Sequence, residues 1–329
     1  MISLEERSLV LRNRLINIQE KKVLISSFKN TMQEKDLSVP ANCNGYGRIH
    51  HFKLGNNSDW IYDPLPIVPA CNKLKLEAKD KIRAQVFQVS GCNYRCWYCF
   101  VDTENLNGFS KNSKFFQCGE LVDMYLNQED PPKVIDLSGG QPDLIPEWTV
   151  WMMEALIDHG LENKVYLWSD DNLSTDFLFK YLNSEQILLL TTYKNYSKVC
   201  CFKGFNKDTF SLTTGLSQDY FEDQFQNFEK ILELDIDLYA YITLTSPLST
   251  NIEYELPKFM DRIQTLSENM LLRMIPLEIM IFGPVKKYIN GKRNELIEGQ
   301  YKAIKVWKSE LTKRYSNSLI NMSIDKIPI

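Results

Sequence analysis

One stretch of eight residues carries three cysteines and is the part of the sequence best suited to chemistry. It runs from Cys92 to Cys99, and the thiols of Cys92, Cys96 and Cys99 follow the spacing CxxxCxxC with no fourth ligand nearby. Structural zinc sites are normally closed by four ligands, whereas a 4Fe-4S cluster held by three thiolates leaves one iron open. The stretch therefore predicts an iron-sulfur site. The alternatives are a zinc knuckle with a distant fourth ligand, or three buried thiols.

The composition is that of a globular protein that has no general attraction for nucleic acid. The chain has 329 residues, of which 44% are hydrophobic and 24% charged, with a formal net charge of -4. A negative net charge gives no field that would attract a polyanion. No apolar run approaches the length of a membrane span, and the first residues do not resemble a signal peptide. We therefore expect a cytoplasmic protein with no nucleic-acid or membrane partner, and its eight cysteines suit a reducing compartment.

The first 79 residues are predicted to form a helical and irregular extension. Apolar residues at helical spacing over 4–34, such as Leu11, Leu15 and then Val23 and Leu24, predict one or two helices. Residues 36–75 are interrupted by prolines and glycines, which predicts a long irregular segment, either a lid or a packed strap.

Strands and helices alternate after Asp80, and this alternation predicts the fold. Six candidate strands separated by helix-length segments predict an α/β protein with a partial (β/α)6 TIM-like barrel. The predicted strands are Ile82 to Ser90, Val134 to Ser138, Lys164 to Ser169, Lys198 to Lys203, Asp237 to Thr245 and Leu271 to Glu278. We expect the barrel core over 80–285 and a C-terminal helix and tail over 286–329. The functional face of such a barrel lies at the C-terminal ends of its strands, and the cysteine stretch directly follows the first strand.

The second predicted strand leads into a glycine turn that completes a recognisable pattern. Ser138, Gly139, Gly140, Gln141 and Pro142 follow CxxxCxxC by one helix and one strand. Together the two motifs resemble the radical S-adenosylmethionine (SAM) superfamily, in which the turn reads GGEP and therefore has Glu where this chain has Gln141. The resemblance implies a 4Fe-4S cluster on Cys92, Cys96 and Cys99 that binds SAM and cleaves it reductively. It also implies that the five turn residues bind SAM.

The resemblance assigns further cofactor contacts. Tyr98 occupies the position of an aromatic residue that contacts adenine in the superfamily. The third strand ends in Ser169 and Asp170, which are expected to bind the ribose and amino acid portions of SAM. The fourth strand resembles the D-L-K segment of glycyl-radical-enzyme activases, and alternation turns Cys201 and Lys203 inward, so Lys203 suits the SAM carboxylate. Cys201 stands where an activase has aspartate.

Candidate substrate residues follow from the inner positions of the last two strands and from the loops. Tyr241 is the best candidate on a polar and aromatic fifth strand. Arg273 or Glu278 on the sixth strand needs a partner if it points inward. Asp102 and Asp143 follow the cysteine stretch and the glycine turn, where either could bind a substrate amine or cap a loop.

The superfamily resemblance implies an enzyme that takes an electron from flavodoxin or ferredoxin and abstracts hydrogen from a small molecule. Residues 92–102, together with 136–143 and 168–172, resemble a bacterial subgroup for which we expect queuine lyase activity. The alternatives are an activase that acts on a protein, favoured by the fourth strand, and a non-enzymatic iron-sulfur redox sensor.

Overall fold

A seven-stranded sheet organises the chain, as seen in a computed structural model that describes residues 2–54, 64–109, 111–286 and 289–329. Its strands are β3 (Gly47–Lys53), β4 (Lys81–Phe87), β6 (Val134–Leu137), β7 (Tyr166–Asp171), β8 (Tyr196–Lys203), β9 (Leu238–Thr243) and β10 (Met274–Leu277). Across the sheet they lie in the order β10-β9-β8-β7-β6-β4-β3. Six strands are parallel and β3 pairs antiparallel with β4. The prediction of a partial (β/α)6 barrel is confirmed, with one strand added at its edge.

The helices of the core follow their strands, as parallel pairing requires. They are α3 (Cys118–Leu126), α4 (Glu147–Asp158), α5 (Phe177–Tyr181), α6 (Ser184–Thr192), α7 (Lys207–Thr214), α8 (Phe221–Leu232), α9 (Ile252–Leu266), α10 (Gly283–Lys286), α11 (Gly291–Arg314) and α12 (Asn317–Ile320). None of the described helices combines the length and apolar character needed to cross a membrane.

The sheet separates two buried apolar layers, because successive side chains of a strand point to opposite faces. Ile135, Phe202 and Ile242 belong to the outer layer, which packs against the helices. Val134, Cys201 and Tyr241 belong to the inner layer. The inward direction expected for Cys201 is therefore observed, as is the outward direction of Phe202.

The N-terminal region contains one helix followed by a small sheet. Helix α1 (Leu4–Leu15) begins at a capping box formed by Ser3 and Glu6. The strands β1 (Ile16–Asn17), β2 (Lys22–Ser26) and β5 (Ser113–Gln117) then form a three-stranded antiparallel sheet. The expectation that Val23 and Leu24 continue in a second helix is wrong, because β-branched residues in β2 pair along its length with β5.

The segment over 36–75 contains regular structure that was not expected. Strand β3 extends the main sheet, and α2 (Ile67–Lys73) packs Ile67 and Ala70 into the inner layer. Asn72 of α2 donates to Asp325 Oδ2 at 2.7 Å, and the Asp325 carbonyl accepts from Arg273, just before β10, at 3.1 Å. Helix α2 therefore lies at the end of the inner face opposite to the cysteine stretch. Residues 55–63, which include Trp60 and Tyr62, lie outside the described residues.

Candidate functional site

The C-terminal ends of β4 and β6 bring the cysteine stretch and the glycine turn together. Both follow neighbouring parallel strands, whose pairing continues as Ser138 N donates to the Phe87 carbonyl at 3.3 Å. The Gln141 backbone N–H then donates to the Gly91 carbonyl, one residue before Cys92, at 2.7 Å. The two motifs, which are far apart in the sequence, are therefore joined by backbone hydrogen bonds.

The loop that carries the three thiols, residues 92–99, is fixed by its backbone and by one arginine. Backbone N–H groups of Arg95 and Trp97 donate to the carbonyls of Thr214 and Thr213 at the end of α7, at 3.2 and 3.1 Å. The Arg95 guanidinium turns back to the carbonyls of Cys92 and Tyr94 within the same loop. The guanidinium thus gives these backbone carbonyls a hydrogen-bond donor, and its positive charge lies beside the thiols.

Burial keeps the three thiols protonated in the free protein. It raises the pKa of Cys92 to about 11 and that of Cys99 to about 12, and it also raises the pKa of Cys96. The neighbouring thiol of Cys96 further raises the pKa of Cys92 and Cys99, while the ammonium of Lys203 lowers the pKa of all three thiols. Iron binding must therefore displace protons from this loop, and Lys203 stabilises the thiolates that result.

The donor set fits an iron-sulfur cluster. In a 4Fe-4S site each thiolate binds its own iron. Three thiols on one loop, next to the cation of Lys203, provide the ligands that such a cluster requires.

A buried polar network connects this loop to β7 and to α1. Asn93 is fully buried and its side-chain amide donates to Ser8 and Ser174 Oγ, both at 2.8 Å. Asn172, which follows β7, donates from Nδ2 to Asn93 Oδ1 at 3.2 Å and to the Cys92 sulfur at 3.7 Å. Arg7 adds a bond to the Asn93 carbonyl at 3.1 Å, so α1 covers the cysteine loop.

The glycine turn needs its glycines for contact with the cysteine loop. Gly139 and Gly140 have φ of +83° and +73°, which side chains rarely adopt. A Cβ on Gly140 would meet the carbonyl oxygens of Val89 and Gly91, the latter at 2.7 Å, and a Cβ on Gly139 would meet Gln88 Oε1 at 2.6 Å. Close packing against this chain's own backbone thus requires glycine, independently of any ligand.

Gln141 and Pro142 of the same turn are buried and Gln141 already has partners. Its amide donates to Asp171 Oδ1 at 2.7 Å and accepts from Asn172 N at 2.9 Å. The side chain therefore ties the turn to the end of β7. The backbone N–H and C=O of Gln141 are also bonded, to the Gly91 carbonyl and to Leu144 N, so Gln141 holds the turn and the neighbouring loops together.

Three predicted cofactor residues lie at one end of the inner layer. The Lys203 ammonium is 6.0 Å from the centroid of the Tyr98 ring, and Tyr98 is 9% exposed. Asp170 is partly exposed and lies on the inner side of β7, between Trp168 of the inner layer and the end of the strand. A cation and a buried aromatic ring thus meet beside the thiols, and the Asp170 carboxylate lies close enough to Cys201 on the neighbouring strand to raise the pKa of that thiol.

Two other predicted residues lie on the helix side of the sheet. Ser169 alternates with Asp170, is fully buried, and its hydroxyl is 2.8 Å from the Tyr196 hydroxyl. Asp143 forms an ion pair with Lys198 at 2.7 Å, in which both side chains are almost fully buried. Burial is the main reason that the pKa of Asp143 is raised to about 7, against the effect of the Lys198 ammonium. Neither side chain faces the space beside the thiols.

Of the remaining substrate candidates, Tyr241 lies on the inner face of the sheet and Asp102 lies in a loop. Tyr241 is on the inner face, where its hydroxyl donates to the Leu65 carbonyl at 3.4 Å. Asp102 lies next to the cysteine loop and accepts from Gln33 N at 2.9 Å, so it caps a loop.

The two candidates of the last strand have partners within the protein. Arg273 precedes β10, because Met270–Arg273 form a 3-10 turn where the sequence predicted a strand. It donates to the Ile327 carbonyl at 2.8 Å and pairs with Asp237 at 2.7 Å, at the opposite end of the sheet from the thiols. Glu278 interacts with Tyr301 of α11. Both predicted substrate contacts are replaced by contacts inside the fold.

Sequence reasoning missed the residues that hold the cysteine loop. Ser8, Asn93 and Asn172 are far apart in the chain, and single polar residues carry no spacing pattern that could reveal a shared network. The one available signal was the position of Asn93 directly after the first cysteine. Asn172 also bonds within its own loop, since its Oδ1 accepts from Ser174 N at 3.1 Å.

Comparison with known proteins gives structural likenesses alone. No family model and no curated protein matches the chain. Among solved structures, native anSMEcpe with bound AdoMet has a TM-score of 0.49 and 17% identity, covering 68% of this chain and 59% of that one. Streptococcus suis SuiB bound to S-adenosylmethionine has a TM-score of 0.44 and 13% identity, covering 69% and 47%. SuiB bound to its precursor peptide SuiA has a TM-score of 0.39 and 13% identity, covering 64% and 45%. The chain therefore spans less than two thirds of each of these proteins, and likenesses of this strength do not assign an activity.

Proposed function

We propose that this chain is a radical SAM enzyme. The observation that carries the proposal is the meeting of three elements at one end of the barrel: the CxxxCxxC thiols, the glycine turn and Lys203. They come from β4, β6 and β8 of one parallel sheet, and the turn is bonded to the cysteine loop. The sequence resemblance to the superfamily rests on the same residues.

Different residues of the site would bind the cluster and SAM. Cys92, Cys96 and Cys99 would hold a 4Fe-4S cluster. When bound together, cluster and SAM supply a 5′-deoxyadenosyl radical after one-electron reduction by flavodoxin or ferredoxin, and this radical abstracts hydrogen. Lys203 stabilises negative charge beside the thiols and suits the SAM carboxylate.

The cofactor contacts follow from the placement of the neighbouring groups. The backbone of Ser138, Gly139 and Gly140 is packed against the cysteine loop and would meet SAM there. Tyr98 offers a buried ring for adenine, and Asp170 on the inner face suits a ribose hydroxyl or an ammonium group. Ser169 is not proposed as a SAM contact, since its hydroxyl is bonded to Tyr196.

A small-molecule substrate is favoured by the closed inner face. Helix α2 fills the end opposite to the thiols, where the Leu65 carbonyl accepts from Tyr241. Trp168 and Tyr241 add aromatic surface above this floor. An inner face closed at one end and aromatic along its wall suits a planar molecule of limited size.

Within this class we propose queuine as the substrate, so that the enzyme would be a queuine lyase that releases the aminomethyl 7-deazaguanine base. Queuine combines a planar base, a diol and an amine that is cationic at neutral pH. Tyr241 on the inner face suits the planar base. Release of the base would require cleavage of the bond between this amine and the cyclopentene ring.

The test is anaerobic reconstitution followed by assay for 5′-deoxyadenosine with dithionite and SAM, with and without queuine. The proposal expects 5′-deoxyadenosine at a low rate with SAM alone and a clear increase with queuine, together with the released base. Cleavage of SAM without any response to queuine would refute queuine as the substrate but would still support the radical SAM proposal. No cleavage by protein with a full cluster would refute the radical SAM proposal.

The runner-up is a glycyl-radical-enzyme activase, favoured by the likeness of the fourth strand. Against it, the inner-face position of the activase aspartate is held by Cys201, a buried thiol whose pKa is raised to about 12 by burial. Cys201 therefore remains neutral and cannot supply the carboxylate. A glycyl radical formed on an added partner enzyme would favour the activase, and a cluster that neither binds nor cleaves SAM would favour a redox sensor.

A further inference from the structure

The cysteine loop receives one side-chain hydrogen bond from outside itself at a sulfur atom. Asn172 Nδ2 lies 3.7 Å from the Cys92 sulfur, within the range of a hydrogen bond to sulfur. Asn172 is 7% exposed and comes from the loop after β7, 80 residues away in sequence. The contact is therefore made by the fold and is shielded from water.

The orientation of the Asn172 amide is determined by its other bonds. Oδ1 accepts from Ser174 N at 3.1 Å, so this end of the amide must be the oxygen. Nδ2 carries two hydrogens, one directed to Asn93 Oδ1 at 3.2 Å and the other to the sulfur. The backbone N of Asn172 is held by Gln141 at 2.9 Å. The amide cannot turn without breaking these bonds, so an N–H group faces the sulfur permanently.

We propose that Asn172 is a positioning residue that raises the reduction potential of the cluster on Cys92. This rests on the proposed function, because it requires that Cys92 binds a 4Fe-4S cluster. One electron from an external donor takes the cluster from the 2+ to the 1+ state and increases the negative charge on its thiolates. An N–H donor at a thiolate sulfur stabilises the more negative state, and hydrogen bonds to sulfur are known to set cluster potentials.

The experiment is an EPR-monitored redox titration of the reconstituted full chain without SAM. Asn172→Leu removes the donor with a side chain of similar shape, and Asn172→Ala removes it with a smaller one, so that neither variant adds a charge beside the cluster. Ser174→Ala is the matched control, since it removes both bonds between the Ser174 hydroxyl and the Asn93 amide, at 2.8 and 3.1 Å, and leaves the bond to sulfur in place. Iron and sulfide content show that each variant holds an intact cluster.

We expect both Asn172 variants to lower the ratio of reduced to oxidised cluster at a fixed potential about tenfold, equal to a shift of about 59 mV for one electron. Ser174→Ala should change this ratio by less than twofold. If Asn172→Leu does not fold, Asn172→Ala gives the answer alone. An unchanged midpoint in the variants, or an equal shift in Ser174→Ala, overturns the role of Asn172 while the cluster remains. A wild-type chain that holds no 4Fe-4S cluster refutes the proposed function instead, and this inference with it.

Discussion

Gly140 is the position where one added methyl group should separate the glycine turn from the cysteine loop. Its φ is +73°, and a Cβ would meet the carbonyl oxygens of Val89 and Gly91. These are backbone atoms of the loop that follows β4, so they cannot move aside as a flexible side chain would. Gly160 offers a matched control, since its φ is +64° and a Cβ there would meet nothing within 4 Å.

The expected cost of Gly140→Ala follows from three effects. An alanine with positive φ costs about 1 kcal/mol, and this is the whole cost expected for Gly160→Ala. Displacement of packed backbone adds about 1–3 kcal/mol. Loss of the hydrogen bond from Gln141 N to the Gly91 carbonyl adds about 1 kcal/mol. We therefore expect a loss of roughly 3–5 kcal/mol in the free energy of unfolding for Gly140→Ala.

Urea unfolding of the two cluster-free variants measures this difference directly, and iron content after reconstitution shows its effect on the site. Gly140→Ala should be at least about 2 kcal/mol less stable than Gly160→Ala and should retain less iron. Equal stabilities of the two variants would show that the turn does not pack against the cysteine loop as described.

Three further changes test the other assignments. Asp143→Asn leaves the buried ammonium of Lys198 without its partner and should cost about 3–5 kcal/mol in urea unfolding, whereas Asp143→Asn combined with Lys198→Met should cost less. Arg273→Met should cost about 2–3 kcal/mol and expose the C-terminal residues near Ile327 to protease, with SAM cleavage per cluster unchanged. Lys203→Met should weaken SAM binding about tenfold in equilibrium dialysis, with unfolding changed by less than about 1 kcal/mol.

Each of these has an outcome that contradicts it. A stable Asp143→Asn variant that loses substrate turnover would return Asp143 to the substrate site. Selective loss of turnover in Arg273→Met, with the C-terminal residues still protected, would do the same for Arg273. Unchanged SAM affinity in Lys203→Met would remove Lys203 from the cofactor site.

The parallel core could be predicted because its strands are buried runs separated by helix-length segments. All six predicted strands are present and in the expected parallel pairing. Strand β3 was missed because its sequence, with Arg48, His50 and His51 in seven residues, is polar and belongs to the sheet edge. The N-terminal β2 was taken for a helix because a short apolar run fits either period.

The candidate site could be predicted where a motif specifies it and not where distant loops meet. The three thiols and the glycine turn are adjacent because strand order brings neighbouring C-terminal ends together. The predicted roles of Ser169 and Asp143 depended on which way each side chain points. Alternation assigns Ser169 to the helix side, but the pairing of Asp143 with Lys198 comes from 55 residues away. Contacts such as that of Asn172 with Cys92 depend on the completed fold.

The most direct test of the central claim is the formation of 5′-deoxyadenosine by reconstituted wild-type protein and by Cys96→Ala, each with SAM and dithionite. We expect the wild type to hold a 4Fe-4S cluster and form 5′-deoxyadenosine, and Cys96→Ala to lose both the brown absorbance and the product. A wild type with a full cluster and no 5′-deoxyadenosine, or a Cys96→Ala variant that retains cluster and activity, would contradict the account.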